Sequence, residues 1–247
     1  FTVFEMSDLA SREELRSVVL SAIMFMTGQA MTRSSRSTKK LLLIDEAHNL
    51  VDRARGMYSV TLSQKRLLRT RRSAPKPLKS AMNGVARAWQ ALIREDAPQQ
   101  GEAPATLDNL PASLTGALNR LVSAISDYLA DNPPDLALQE LLFESLAFTK
   151  LADVFGDHSL CQLVRPGKGD ARLSIQNLIP ADFLAPRFES ACSTLLFSAT
   201  LSPFYYYRDL LGLPERSVWR EVESPFVAQQ LEVHVRSDIS TRYHHRV

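Results

Sequence analysis

Two hydrophobic rhythms divide this chain. Leu41 to Ile44 is an unbroken aliphatic run that ends on adjacent carboxylates, Asp45 and Glu46. A run of strand length without alternation predicts a parallel strand hidden on both faces that delivers charge at its carboxyl edge. Thr194 to Phe197 repeats the pattern and empties into Ser198 and Thr200, which predicts a second strand of the same sheet. Phe1 to Phe4 is a further strand candidate. After it, Ser7 or Ser11 caps a predicted helix with Glu13 and Glu14 in its first turn, where acidic side chains suit the positive helix end. Leu15, Val18, Val19, Ala22, Ile23 and Met26 keep helical spacing to about Met31, so one face packs on a sheet. Met6, Met24, Met26 and Met31 read as core filler. A basic loop, Thr32 to Lys40, leads back to Leu41, and strand, helix, strand is the order of a parallel βαβ unit.

From Val51 to about Leu160 no strong strand pattern appears and helical spacing takes over. Helices are predicted over Ser59 to Leu68, Leu78 to Ile93, Pro111 to Leu129 and Asp135 to Phe155, with breakers at Pro75, Pro77, Pro98, Gly101, Pro104, Pro133 and Pro134. His158 to Val164 and Arg172 to Leu178 predict a hairpin turning at Gly167 to Gly169. Pro180 then opens a short helix, Ala181 to Ser190, and Tyr205 to Leu211 reads as another that stops at Gly212. Leu231 to Val235 alternates like a strand that begins a new unit. The organisation expected is α/β: a partial parallel sheet at 1–55, a mainly helical insertion at 56–170 ending in a hairpin, a return to the sheet layer at 171–212, and the start of a second domain at 213–247.

Composition narrows the classes without choosing among them. The 247 residues are 45% apolar and carry a formal net charge of only +2, so whole-chain electrostatics do not announce a nucleic-acid partner. Any such claim rests on local clusters. The run from Lys65 to Lys79 holds seven Lys or Arg residues, among them Lys65, Arg66, Arg69, Arg71 and Arg72. These can neutralise phosphates, and a solvated helix end is the competing reading. Trp89 shares an apolar face with Val85, Ala88 and Leu92, which reads as core and not as a base-stacking platform. Tyr205, Tyr206 and Tyr207 likewise read as half-buried packing. Cys161 and Cys192 lack metal-ligand spacing and read as buried thiols of a cytosolic protein. The most apolar window, Val18 to Met26, is too short to span a membrane, and no signal peptide is expected. A start at Phe1 and an end in a charged run suggest an internal piece of a longer chain.

The carboxylate pair is the candidate chemistry. One carboxylate can hold a hydrated Mg²⁺ that bridges nucleotide phosphates while its neighbour orients the attacking water. Asp45 is assigned to the metal and Glu46 to the water. Asp45-Glu46-Ala47-His48-Asn49-Leu50, then about 145 residues of insertion, then Phe197-Ser198-Ala199-Thr200-Leu201-Ser202-Pro203, resembles the XPD/DinG family of superfamily 2 DNA helicases. The run from Leu210 to Arg246, with its LLGLP, ESPF and ISTRYHHR strings, is similar to that family's passage into its second motor domain.

That resemblance implies a RecA-like P-loop NTPase motor domain with an arch-like insertion. It implies ATP and Mg²⁺ as cofactors, DNA, especially single-stranded, as partner, and a bacterial cytoplasmic setting without membrane contact. It further implies that His48 pairs with Ser198 or Thr200 in the Ser198-Ala199-Thr200 motif, so that hydrolysis is felt at the DNA-binding surface. Two departures accompany it. No GxxxxGK followed by Ser or Thr occurs in the sequence, nor do the four cysteines of the family's iron-sulfur cluster, so catalytic silence is expected of this chain alone. Residues 1–47 instead resemble TraC/VirB-type ATPases of conjugative type IV secretion, which carry a strand, helix and basic loop before their own LLLIDEA strand and continue with Trp in the place of His48. The expectation is a chain that joins two P-loop ATPase pieces at a shared strand. A conjugative-transfer ATPase and a non-catalytic binding module are the alternatives to a helicase fragment.

Overall fold

The computed structural model describes residues 41–96, 98, 103–167 and 170–223. The elements expected before Leu41, the methionines there and the strand expected at Leu231 to Val235 lie outside the described residues. The chain divides into a larger unit, 1–215, and a smaller one, 216–247. Residues 216–223 of the smaller unit contain no helix or strand. In the larger unit the described elements are β1 (Leu41–Ile44), α1 (Leu50–Met57), β2 (Val60–Ser63), α2 (Gln64–Ser73), α3 (Lys79–Asp96), β3 (Ala105–Leu107), α4 (Ala112–Asp131), α5 (Leu136–Ala152), β4 (Ser159–Gly167), β5 (Asp170–Asn177), α6 (Ala181–Ser190), β6 (Ser193–Leu196) and α7 (Phe204–Leu211), with two 3-10 turns at Ala47–Asn49 and Lys76–Leu78.

The two aliphatic runs do meet. β1 and β6 pair in parallel, Leu41 opposite Ser193 and Ile44 opposite Leu196. The fold is therefore a mixture of helices and sheets that contains a parallel pair. Helices α1, α6 and α7 cover one face of the pair, where Val51, Ala54, Leu184, Phe188, Tyr207 and Leu211 form a small core with Leu42, Ile44 and Leu196. The other face is open: Leu41 is 64% exposed, Leu43 58% and Leu195 55%. Burial on both faces was the expectation for these strands, and it is corrected. Among the described residues the sheet has two strands and helices on one side only.

The intervening segment holds a second, antiparallel sheet in the order β2-β5-β4-β3. The expectation of a segment without strands ahead of a lone hairpin is corrected in two places. Ser59 to Leu68 is not one helix: Val60–Ser63 pairs with β5, and α2 starts only at Gln64. Ala105–Leu107 adds an edge strand on β4. Strands of four and three residues are too short for a period to show. The predicted hairpin is present, and its second strand pairs on both sides, so the parallel layer resumes only at α6 and β6.

Helices α3, α4 and α5 pack on this sheet and fall close to the three later helices expected from spacing. Asp135 caps α5, its carboxylate accepting from Leu138 N at 3.0 Å. The shared core holds Met82, Val85 and Trp89 from α3, Leu114, Leu118, Leu121 and Ile125 from α4, Leu138, Leu141 and Phe148 from α5, and Cys161, Leu163, Leu173 and Ile175 from the hairpin. β5 shows why: Ala171, Leu173 and Ile175 alternate inward while Arg172 and Gln176 face water. Cys161 is an inert thiol, because burial pushes its pKa up to about 11. Cys192 is exposed, against the expectation that both thiols are buried. Trp89 is core, as its spacing predicted. The tyrosines divide: Tyr207 is buried, whereas Tyr205 is 64% and Tyr206 40% exposed.

An ion pair between a largely covered Glu144, 11% exposed, and an exposed Arg66, 44%, ties α2 and α5 together. Glu144 Oε1 accepts from Ser63 N at 2.6 Å, and its Oε2 lies 2.8 Å from Arg66 Nε, while Arg66 Nη1 donates to Glu140 at 2.9 Å. Burial pushes the Glu144 carboxyl above its ordinary value of 4.5, and the Ser63 N–H and Arg66 hold it back part of the way. A folded-state pKa above the unfolded one means that the folded protein binds the proton more tightly. The contribution to stability is complete below the ordinary value and is lost as pH rises through the folded pKa. Arg66→Met removes the counter-charge, so the Glu144 pKa rises further and the loss moves to higher pH. A carbon-13 NMR titration of the Glu144 carboxyl reads this directly, and an unchanged midpoint would rule out Arg66 as its partner.

Candidate active site at the edge of the parallel strands

β1 ends where the sequence places its carboxylates. Asp45 stays at the strand edge, and the chain then turns through Glu46, whose φ of 49° and ψ of 40° lie in the left-handed region. A residue with a Cβ pays about 1–2 kcal/mol for that conformation. Local bonds offset the cost: Glu46 N donates to Asp45 Oδ1 at 2.7 Å, and Glu46 O accepts from Asn49 N at 3.0 Å, closing the 3-10 turn. The turn buries Ala47 completely and aims its N–H at Phe197 O, 3.2 Å away on the neighbouring strand. Phe197 N in turn donates to Ile44 O at 3.0 Å. These two backbone bonds extend the strand pairing into the loops and bring both motifs to one edge.

His48 and Ser198 meet there, 150 positions apart in the chain, with Nδ1 and Oγ 2.7 Å apart. The same nitrogen lies 3.2 Å from Glu46 Oε2. Ser198 Oγ also accepts from Thr200 N at 3.3 Å and donates to Glu46 Oε2 at 3.5 Å. A proton assigned to Nδ1 lets His48 donate to both the hydroxyl and the carboxylate. The structure thus brings Glu46, His48 and Ser198 into one cluster. Thr200 joins through its backbone and not its side chain. Ala199 is exposed between them, and Asp45 stands beside the cluster, linked through Glu46 N.

The layer is bolted to the inserted segment right behind the site. Arg55 on α1 donates from Nε to Leu178 O at 2.9 Å, Ser59 Oγ donates to Arg55 O at 2.6 Å, and Asn177 N donates to Ser59 Oγ at 2.9 Å. The Tyr58 ring stacks on Phe183 with centroids 4.0 Å apart. Helix α1 therefore connects the Glu46-His48 turn directly to β2. No sequence signal marked these joint residues.

Magnesium fits Asp45. Among the described residues no three His, Cys, Asp or Glu side chains converge as a closed metal cage. Mg²⁺ needs none, since it commonly takes one or two carboxylates and completes its shell with waters and phosphates. Asp45 is exposed, with one oxygen oriented by Glu46 N and the other without a hydrogen-bond partner among the described residues.

The basic candidates scatter. Arg66 is spent on Glu140 and Glu144. Lys65 and Arg69 line a groove of about 850 Å³ together with Arg66, Arg172, Glu140, Glu144 and Asp170. Arg71 donates to Asn83 at 3.4 Å on the other side of α2, and Arg72 is exposed. No described helix is long and apolar enough to cross a membrane.

No family model matches this chain, and no curated protein matches it. Among 25 solved chains found similar is one titled XPD helicase, 18% identical, with a TM-score of 0.48 over 70% of this chain and 30% of its own. The chain accordingly spans under a third of the length of that structure.

Proposed function

We propose that this chain carries the hydrolysis and coupling part of an ATP-driven DNA helicase motor of the XPD/DinG type. The observation that supports it is the 2.7 Å contact between His48 of the DEAH string and Ser198 of the SATLSP string, which joins the two resembling motifs on one sheet edge. In this reading Asp45 holds Mg²⁺, which neutralises charge on the nucleotide phosphates when bound. Glu46 orients the attacking water. His48 links Glu46 to the Ser198-Thr200 loop, so a change at the nucleotide displaces that loop and, through α1 and the Arg55, Tyr58 and Ser59 joint, the inserted domain. No GxxxxGK followed by Ser or Thr occurs among these 247 residues, so in this reading the chain is a partial site expected to hydrolyse no ATP unaided.

Its test is a titration of the chain with a fluorescent ATP analogue and Mg²⁺, comparing Asp45→Ala. Binding should be weak, in about the millimolar range expected without a cradle, and about tenfold weaker in the variant. Tight, Asp45-dependent binding would mean that another backbone turn cradles the phosphates. Binding indifferent to Asp45 would sink the motor reading and leave a non-catalytic binding module. The secretion-ATPase alternative rests on residues 1–47, nearly all of them outside the described residues.

A further inference from the structure

The seven-cation run does not act as one patch, because folding places Lys65, Arg66 and Arg69 in one groove, Arg71 in another of different electrostatic character, and Arg72, Lys76 and Lys79 in neither. The larger groove sets Lys65, Arg66, Arg69 and Arg172 against Glu140, Glu144 and Asp170, and two of its arginines are already in ion pairs at 2.8–3.1 Å. It is nearly neutral. The smaller groove, of about 420 Å³ between α2 and α3, is lined by Arg71, Ser80, Asn83, Ala86, Arg87 and Gln90, and no carboxylate lines it. Neither Arg71 nor Arg87 has an ion-pair partner among the described residues, and Arg71 is steered over the groove by Asn83 Oδ1 at 3.4 Å.

Ser80, Asn83, Arg87 and Gln90 sit at helical spacing on one face of α3. The four positions climb about 15 Å, enough to follow several successive phosphates of one strand. The lining is rich in N–H and O–H donors, and guanidinium groups only donate, in a fork that matches phosphate oxygens. No aromatic ring lines the groove, so it offers no platform for a base. We propose that the groove between α2 and α3 is a sequence-independent track for the phosphodiester backbone of a nucleic-acid strand, with Arg71 and Arg87 as its two charged contacts. This rests on the nucleic-acid side of the proposed function and adds the place and residues of contact. Arg87, Ser80, Asn83 and Gln90 lie outside or at the far edge of the basic run that the sequence displays.

The test is fluorescence anisotropy of labelled oligo(dT) with the 247-residue chain across a salt series, without nucleotide. Two lost contacts should lower the slope of log K against log salt by about 1.4, which is about 25-fold weaker binding at 0.1 M salt if the curves converge at 1 M. The Arg71→Ala/Arg87→Ala double variant should show this loss, Arg71→Lys/Arg87→Lys should keep most of the slope, and Arg172→Ala in the neutral groove should change affinity less than twofold. Both arginines project from a polar surface, and circular dichroism checks that the variants remain folded. A duplex that binds with the same arginine dependence also supports the track, with a slope change near 1.8. Oligonucleotide binding that ignores both arginines would overturn the track while leaving the motor reading intact. Equal, arginine-dependent capture of polyglutamate would overturn it in favour of an acidic protein partner. No binding of any oligonucleotide by the unaltered chain would overturn the nucleic-acid reading as a whole.

Discussion

Trp89→Ala should cost about 3–5 kcal/mol of folding stability, the range for truncating a buried aromatic residue. The indole is 1% exposed and belongs to the core that α3 shares with α4, α5 and the antiparallel sheet. Its neighbours come from several elements that are fixed independently, so they cannot collapse into the space it leaves. A domain is stable by only about 5–15 kcal/mol in total, so the variant gives up a large share of its margin. Urea denaturation followed by circular dichroism measures the loss. A cost below about 1 kcal/mol would place the indole outside the core and restore a stacking role for it. Binding of oligo(dT) by the folded fraction should be unchanged, since no part of the proposed track uses Trp89.

Gly212→Ala should cost about 2–4 kcal/mol for a different reason. Gly212 ends α7 at φ 64° and ψ 41°, its N–H and that of Leu213 both returning to Arg208 O. That is a helix stop in the left-handed region, which suits glycine. A Cβ there would also stand 2.8 Å from Ala181 O and 3.1 Å from Ala185 Cβ on α6. A backbone oxygen in the first turn of a helix cannot swing aside like a side chain. The two helices would separate, and they are two of the three that cover Leu42, Ile44 and Leu196 of the parallel pair. A fall in Tm of roughly 10 °C is expected for a unit of this size. The His48–Ser198 contact should weaken with it, visible as a change in the His48 ring nitrogen shifts. A variant that keeps its Tm within about 2 °C would contradict the close approach of α6 and α7.

Glycine at 212 was readable as a helix stop, but nothing in the sequence said that α6 crowds it. The same division runs through the site. The strings LLLIDEAHNL and LLFSATLSP each announce a strand that ends in chemistry, because an unalternating aliphatic run followed by polar side chains is a local signature. The left-handed Glu46 left no trace, since glutamate is an ordinary residue there and the turn is imposed by Ala47 N reaching Phe197 O. β2 was hidden inside a predicted helix because its four residues, Val60–Ser63, are too few for an alternating period to show, and only pairing with β5 decides. Cys192 read as buried by residue type, and its place just before an open edge strand exposes it.

By itself the sequence determined the elements whose stabilising contacts lie within a few turns. These are the α3, α4 and α5 helices with their apolar faces, the β4-β5 hairpin, the two aliphatic strands and the types of residue at their ends. Tertiary structure alone decided which face of the parallel pair is covered, that Ser198 and not the Thr200 side chain meets His48, and which arginines of one basic run are neutralised by Glu140 and Glu144. The physical reason is range. Helical spacing and capping are settled among neighbours in the chain, whereas burial, ion pairing and the assembly of a site depend on partners up to 150 residues away, whose approach no local pattern encodes.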